Sequence, residues 1–147
     1  MPFDFTPPNI PTRVRHIEHD LAILRDARDG ISCLEHWGKG ERRTLTMGCA
    51  TDWVMKVTPA MSERGYLPVV TRLYEALPRS WRLGHVSPWN AVIAFNDTSW
   101  RRHRRIVKMF DDAIARAEED LSLACGTLVP RADDTISVCS RENVLCR

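Results

Sequence analysis

Three polar side chains in the segment FNDTSWRRH, those of Asn96, Asp97 and His103, are of types that bind ligands or transfer protons. Histidine titrates near neutral pH, and a nearby carboxylate can orient its ring. If a helix begins in this segment, its free backbone N–H groups also favour an anion. One interpretation of this segment is therefore a polar pocket for a small ligand or for hydrolysis. The other, which a lone histidine on an apolar stripe favours, is that Asn96 and Asp97 cap and turn the chain while His103 belongs to the core.

Basic side chains are concentrated in the next stretch, WRRHRRIVKMF, residues 100–110. One quadrant of a helix with roughly 100° per residue contains four of them, which we call the basic face: Arg101, Arg104, Arg105 and Lys108. Basic residues at a helix start oppose its dipole, so helix stability does not explain them. A guanidinium group binds a carboxylate or a phosphate through two hydrogen bonds at once. The basic face therefore indicates an acidic protein partner or nucleic acid. The third interpretation is a solvated face, neutralised by Asp112 and by acids of other helices such as Asp20.

Histidines and cysteines do not form a known metal or nucleophile motif. Cys33 and His36 are three residues apart, as are His16 and His19, and Cys49 follows without a partner at short spacing. Zinc modules repeat such short spacings in pairs. The sequence also contains no glycine-rich phosphate loop and no serine nucleophile motif. We therefore predict no metal and no cofactor.

The composition limits the class of protein. Twenty-one basic and 19 acidic residues give a net charge of +2, which creates no whole-molecule field for nucleic acid. No apolar run reaches the roughly 18 residues of a membrane span, and the first residues lack the basic start and apolar segment of a signal peptide. Five cysteines, an odd number at irregular spacing, indicate reduced thiols. We expect a cytoplasmic protein without a membrane partner.

The elements that must position these residues begin after a proline-rich arm. Residues 1–11 contain four of the nine prolines, which favour extended backbone. From Thr12, a candidate N-cap, apolar residues recur every three or four positions from Val14 to Leu24, and Gly30 suits a helix end. This pattern predicts the first helix.

Three shorter helices are predicted next. The first ends before Pro59, although its β-branched residues keep a strand as an alternative. The second ends before Pro78. The third begins with Ser87 as N-cap and is a short helix or, alternatively, a buried strand. Residues 30–43 form a loop with one helical turn, and the stretch SWRLGHV before Ser87 is a loop.

The last helix has the most regular pattern, with Thr98 or Ser99 as its cap and Gly126 as its end. Three- and four-residue steps give it an apolar seam: Trp100, His103, Val107, Phe110, Ile114, Ala117 and Leu121. We predict an all-α fold in which residues 12–124 form one compact domain and residues 125–147 a tail that is disordered or packed as an edge strand.

A resemblance is carried by GCATDWV, residues 48–54, and by WNAVIAFNDTSWRRHRRIVKMFDDAIARA, residues 89–117. Over residues 12–121 the chain resembles a family of small uncharacterised helical proteins of bacteria and their phages. Those domains have a helix with a cysteine and small residues, a Trp-Asn-Asp turn and a long closing helix. Here the turn is Phe95-Asn96-Asp97, with the tryptophan at position 89 or 100. The resemblance implies an all-helical fold, a bacterial or phage setting, and the proximity of Cys49 to Asn96 and Asp97.

These patterns together favour a non-enzymatic interaction module with a protein partner, which the basic face recognises with help from the proline-rich arm. The first alternative is a small-ligand-binding or hydrolytic enzyme domain that uses Asn96, Asp97 and His103. The second is a nucleic-acid-binding accessory protein of a mobile element.

Overall fold

The computed structural model describes residues 11–38, 44–84, 87–98 and 102–126. Within these ranges the chain forms six α-helices, one short 3-10 turn and no β-strand. The helices are α1 (Thr12–Ile31), α2 (Ala50–Val57), α3 (Leu67–Ala76), α4 (Arg79–Leu83), α5 (Pro88–Thr98) and α6 (His103–Gly126), and the 3-10 turn is Leu34–His36. The predicted all-α compact domain is confirmed.

The two longest helices, α1 and α6, lie side by side in opposite directions. His103 at the start of α6 contacts the carbonyl of Ile31 at the end of α1. Further along, Arg28 pairs with Asp111 and Arg25 pairs with Glu118. The residue numbers therefore increase in opposite directions along the two helices, which makes them antiparallel. This pair forms the long side of the domain.

The remaining helices cover the apolar side of that pair. Helix α2 packs on α1, while α3 packs on α5 and α6. Each of the five longer helices contributes a side chain with no solvent exposure: Leu24, Val54, Leu73, Val92 and Phe110. Burial of these side chains from all sides of the bundle provides the main driving force for folding.

Local signals for the helix ends were largely correct. The hydroxyl of Ser87 accepts the N–H of Asn90 at 3.2 Å and so caps α5, which settles the choice between helix and strand in favour of helix. Pro68 occupies the first turn of α3, where its missing donor costs nothing. The N-cap of α1 is Pro11 and not Thr12, which is already helical. The predicted loop SWRLGHV is wrong over residues 80–83, which belong to α4, a short helix that starts directly after Pro78.

The start of α6 differs from the prediction. The helix begins at His103, and Thr98 is not its cap but the last residue of α5. The Thr98 hydroxyl instead donates to the carbonyl of Ala94 at 2.6 Å. At its other end α6 reaches Gly126, as predicted, and so passes the expected domain boundary at 124.

The buried face of α6 is also rotated from the predicted seam. Phe110 and Ala117 are buried as expected, but Val107 and Ile114 are only partly covered. Ile106, Met109 and Ala113 are buried instead. The centre of the buried stripe therefore lies about 60° around the helix from the centre of the predicted seam. Helix α6 packs against both α1 and α3, and this two-sided contact widens and shifts the stripe that a single seam would predict.

Several predictions fall on residues outside the described ranges: the extended arm, Ser99 and Trp100, Arg101 and the tail from residue 127. Among the described residues, no helix combines the length and apolar character that a membrane crossing requires.

Candidate functional site

The start of α6 is fixed to the end of α1 by a histidine. The Nε2 atom of His103 lies 2.6 Å from the carbonyl oxygen of Ile31. Because a carbonyl only accepts, this nitrogen must carry the proton and donate. The ring also packs against Trp37, with 5.5 Å between ring centroids. The half-buried His103 side chain therefore has a defined tautomer and orientation.

Trp37 is held from the inside by Asn96. Its indole N–H donates to the Asn96 amide oxygen at 2.9 Å, and the N–H of Ala50 donates to the same oxygen at 3.2 Å. The Asn96 amide nitrogen donates to the carbonyl of Gly38 at 3.1 Å and to the carboxylate of Asp97 at 3.2 Å. All four hydrogen-bonding positions of this fully buried amide are thus occupied.

The backbone around Trp37 forms part of the same support. Gly38 donates to the carbonyl of Gly48 at 2.9 Å, and Gly48 donates back to the carbonyl of His36 at 3.0 Å. The indole N–H of Trp53 also donates to His36, at 3.0 Å. Gly30 lies so close to Trp53 that an added Cβ would be 2.4 Å from its ring. The end of α1, the 3-10 turn and the start of α2 are therefore locked together.

The predicted polar corner of Asn96, Asp97 and His103 does come together, but its members differ in access. Asn96 and Asp97 are in contact, and His103 joins them through Trp37. Cys49 precedes Ala50, which donates to Asn96, so the expected proximity of Cys49 and Asn96 is observed. Asn96 has no free position for a ligand, whereas Asp97 and His103 are half-buried, and His103 lines an open concavity.

Cys49 is a buried thiol whose surroundings oppose ionisation. Burial raises the pKa of the Cys49 thiol above its ordinary value of 9.0, against a lowering contribution from the Thr51 hydroxyl. Its backbone N–H donates to the carboxylate of Asp52 at 3.0 Å, as at the start of a capped helix. Cys49 thus starts α2 and has no feature of a reactive cysteine.

An open concavity of about 440 Å³ lies outside His103. Its lining consists of one leucine, one histidine and three arginines: Leu34, His103, Arg102, Arg104 and Arg105. Leu34 comes from the 3-10 turn, where 63% of its surface is exposed. The concavity combines an apolar wall, an aromatic wall and a positively charged rim.

The three arginines of this rim, which we call the basic cluster, have exposed side chains: Arg102, Arg104 and Arg105. Within the described part of the chain, no carboxylate lies within ion-pair distance of them. Sequence reasoning missed Arg102, because on a helix continued back to residue 100 its position lies about 60° outside the quadrant of the basic face. The helix starts after it, and its side chain joins the other two.

The other members of the predicted basic face have different surroundings. Lys108 contacts both carboxylate oxygens of Asp112, each at 2.8 Å, so its charge is neutralised as the four-residue spacing predicted. Arg101 lies outside the described residues. The predicted pairing of Asp20 with the arginines of α6 is wrong, since Arg72 of α3 and Arg64 bind Asp20 instead.

A second polar cluster lies where α1, α3 and α6 meet. Arg72 donates to Asp20 at 2.8 Å and to Asp120 at 3.0 Å. Burial lowers the pKa of Arg72, but the hydrogen bonds and charges of Asp20 and Asp120 outweigh this effect and raise the pKa above its ordinary value. Asp20 is 2% exposed, so the ion pair is an internal link between helices.

Beside this pair, Ser62, His19 and Asp20 form a serine–histidine–carboxylate sequence in space. The Ser62 hydroxyl lies 3.0 Å from His19 Nε2, while His19 Nδ1 lies 3.8 Å from Asp20 Oδ1. The latter distance is too long for a hydrogen bond. The other Asp20 oxygen is bound by Arg72 and lies 3.6 Å from Arg64. The carboxylate is therefore engaged by arginine and does not orient the histidine as a nucleophile's base requires.

No group of three or more histidine, cysteine or acidic side chains in the described ranges is arranged to hold a metal ion. No known protein family, curated protein or solved structure matches the chain. Any functional assignment must therefore come from the chemistry of the site itself.

Proposed function

We propose that the chain is an interaction module that binds an acidic protein partner through the basic cluster. The observation that carries this proposal is the contrast between Arg102, Arg104 and Arg105, which have no carboxylate in the described structure, and the arginines of α1 that pair across the helix interface. Guanidinium groups bind carboxylates in pairs, and three of them border one concavity. A partner that supplies carboxylates would complete what the fold leaves open.

The position of the basic cluster supports binding over a role in stability. The start of a helix carries a partial positive charge, so arginines there raise the local electrostatic energy. A bound carboxylate interacts favourably with both the guanidinium groups and the helix end. The cluster thus adds nothing to helix stability, and an anionic partner offsets its electrostatic cost.

An acidic protein fits the charge distribution better than nucleic acid does. The net charge is only +2, and the acidic residues Asp111 and Asp112 follow on the same helix about two turns beyond the cluster. A nucleic-acid surface carries bases along a longer track that follows many phosphates. The basic cluster is compact and suits a few carboxylates.

Charge reversal tests the proposal. The variant Arg102→Glu/Arg104→Glu/Arg105→Glu should bind a fluorescein-labelled decaglutamate peptide at least about tenfold more weakly than the unchanged protein. The control variant Arg13→Glu/Arg15→Glu/Arg79→Glu reverses the same number of arginines, which are also exposed, and so has the same net charge. It should bind the peptide as the unchanged protein does. Fluorescence anisotropy measures binding, and circular dichroism checks the fold.

Salt and a competing polymer sharpen the result. Binding of the peptide should weaken as salt is raised, because screening acts on exposed charges. No measurable binding at low salt, or equal losses in the two variants, would reject the basic cluster as the recognition surface. Tighter binding of a single-stranded DNA with the same number of charges would favour the nucleic-acid alternative.

A further inference from the structure

Leu34 is an exposed leucine beside three arginines that have no carboxylate partner in the described part of the chain. It starts the 3-10 turn, in which the N–H of His36 donates to the carbonyl of Cys33 at 3.0 Å and the N–H of Trp37 donates to the carbonyl of Leu34 at 3.2 Å. These bonds define the backbone of the turn, and the His36 ring, with Nδ1 3.1 Å from the carbonyl oxygen of Gly30, ties the turn to the end of α1. The Leu34 side chain is 63% exposed, so a partner that covers it removes apolar surface from water, which favours binding.

The wall next to Leu34 is equally preformed. The His103 ring lines the same concavity and is held by its hydrogen bond to Ile31 and its contact with Trp37. A ligand meeting these two walls does not have to order them, which removes part of the entropic cost of binding. The concavity has a volume of about 440 Å³, in the range of small-ligand clefts, roughly 300–1,000 Å³. A space of this size suits one side chain of a partner and its neighbours rather than a large protein surface.

The charges around the concavity are asymmetric. Arg102, Arg104 and Arg105 lie on the α6 side, whereas the turn contributes the apolar Leu34. A ligand is therefore attracted along one rim and meets an apolar side chain at the other. A segment with negative groups on one side of an apolar side chain matches this pattern, whereas a uniformly charged phosphate backbone does not.

On the proposed function, we infer that the partner segment is a short acidic peptide whose apolar side chain packs on Leu34 and His103 while its flanking carboxylates bind the basic cluster. The arginines attract and orient the segment, and the apolar contact distinguishes it from other acidic sequences. Recognition thus favours a leucine-like residue within an acidic run over charge alone.

Two peptides of equal charge test this inference. Ac-Glu-Glu-Leu-Glu-Glu-NH₂ should bind the unchanged protein about tenfold more tightly than Ac-Glu-Glu-Ser-Glu-Glu-NH₂, because only the leucine buries apolar surface on Leu34. Titration calorimetry of both peptides gives the ratio. The variant Leu34→Ser should bring the ratio close to one while salt-dependent binding of both peptides persists.

Leu123 provides the matched control, since it is on α6 and 61% exposed but far from the basic cluster. The variant Leu123→Ser should keep the preference for the leucine peptide. Equal affinities of the unchanged protein for both peptides, or a preference that survives in Leu34→Ser, would overturn the apolar contact and leave the proposed function standing. If neither peptide binds and decaglutamate also fails, the proposed function falls and the inference falls with it.

Discussion

The first turn of α6 and its later turns place charged residues in opposite ways. In the later turns the acids meet arginines of other helices: Asp111 with Arg28 and Glu118 with Arg25. In the first turn, Arg104 and Arg105 are exposed without such a partner in the described structure. Helix α6 thus has later turns whose acids are neutralised within the fold and a first turn whose positive charge remains available to a partner.

The difference shows how a charge cluster is divided between folding and binding. The hydrogen bond from Arg28 to Asp111 raises the pKa of Arg28 above its ordinary value, a sign that the guanidinium charge is used within the fold. Charges used in this way link helices and have little left for a partner. Within the described residues the basic cluster forms no such ion pair, and the histidine beside it is held by a hydrogen bond and a ring contact.

The largest expected effect is on the free energy of unfolding, when an internal ion pair is broken. Arg72→Met leaves Asp20 buried without its main partner, and such a change costs about 3–5 kcal/mol of unfolding free energy. Arg25→Met, which breaks the exposed pair with Glu118, should cost less than about 1 kcal/mol. Urea unfolding followed by circular dichroism measures both. Similar losses in the two variants would show that burial of the Asp20 pair does not matter.

The next effect concerns the support beneath the basic cluster. Asn96→Asp keeps the shape of the side chain but replaces its two donors with a second carboxylate oxygen facing Gly38 and Asp97. We expect the free energy of unfolding to fall by about 3 kcal/mol, since the new carboxylate oxygen would face two other acceptors, the Gly38 carbonyl and the Asp97 carboxylate. The exposed Asn90 in the first turn of α5 supplies the control: Asn90→Asp should not destabilise, because an acid there favours the helix dipole. Thermal unfolding distinguishes the two.

A packing effect of intermediate size is expected where α1 meets Trp53. Gly30→Ala adds a methyl group at 2.4 Å from the Trp53 ring, and overpacking of this kind costs about 2 kcal/mol. At Gly126 no atom lies within 4 Å of an added Cβ, so Gly126→Ala should leave stability unchanged or slightly higher. A stable Gly30→Ala protein would mean that the support of the basic cluster is looser than the contacts indicate. Chemical unfolding of the two variants gives the comparison.

Two single substitutions separate the available charge from the neutralised charge on α6 itself. Lys108→Gln breaks the pair with Asp112 and should lower the unfolding free energy by about 0.5 kcal/mol, with little change in peptide affinity. Arg105→Gln should do the reverse and lower peptide affinity at constant stability. Equal effects on affinity would extend the recognition surface to Lys108.

The smallest effect is a pH dependence from the buried support. Since burial raises the pKa of the Cys49 thiol in the folded protein, its contribution to stability is complete below pH 9.0 and is lost as the pH rises through the folded-state pKa. Above pH 9.0 the free energy of unfolding should therefore fall more steeply in the unchanged protein than in Cys49→Ser. The control Cys33→Ser, at an exposed position, should follow the unchanged protein. Parallel curves for Cys49→Ser would show that this thiol is not kept neutral by burial.

Much of the fold could be predicted because its signals are local. Pro78 interrupts a helix whatever its neighbours are, and Ser87 supplies an oxygen to the N–H groups three residues on. The pair of Lys108 and Asp112 follows from the geometry of a single helix. The start of α6 was less predictable, because residues 98–103 contain several possible caps.

The sequence by itself determined the helices, most of their ends and the presence of a basic stretch near residue 100, since these depend on neighbours within a turn of the chain. Only the tertiary structure decided which charges remain available. The Asn96 amide binds groups up to 59 residues away, and Asp20 is taken by Arg72, 52 residues away. Such partners are set by how helices pack, and packing alone leaves Arg102, Arg104 and Arg105 exposed beside Leu34.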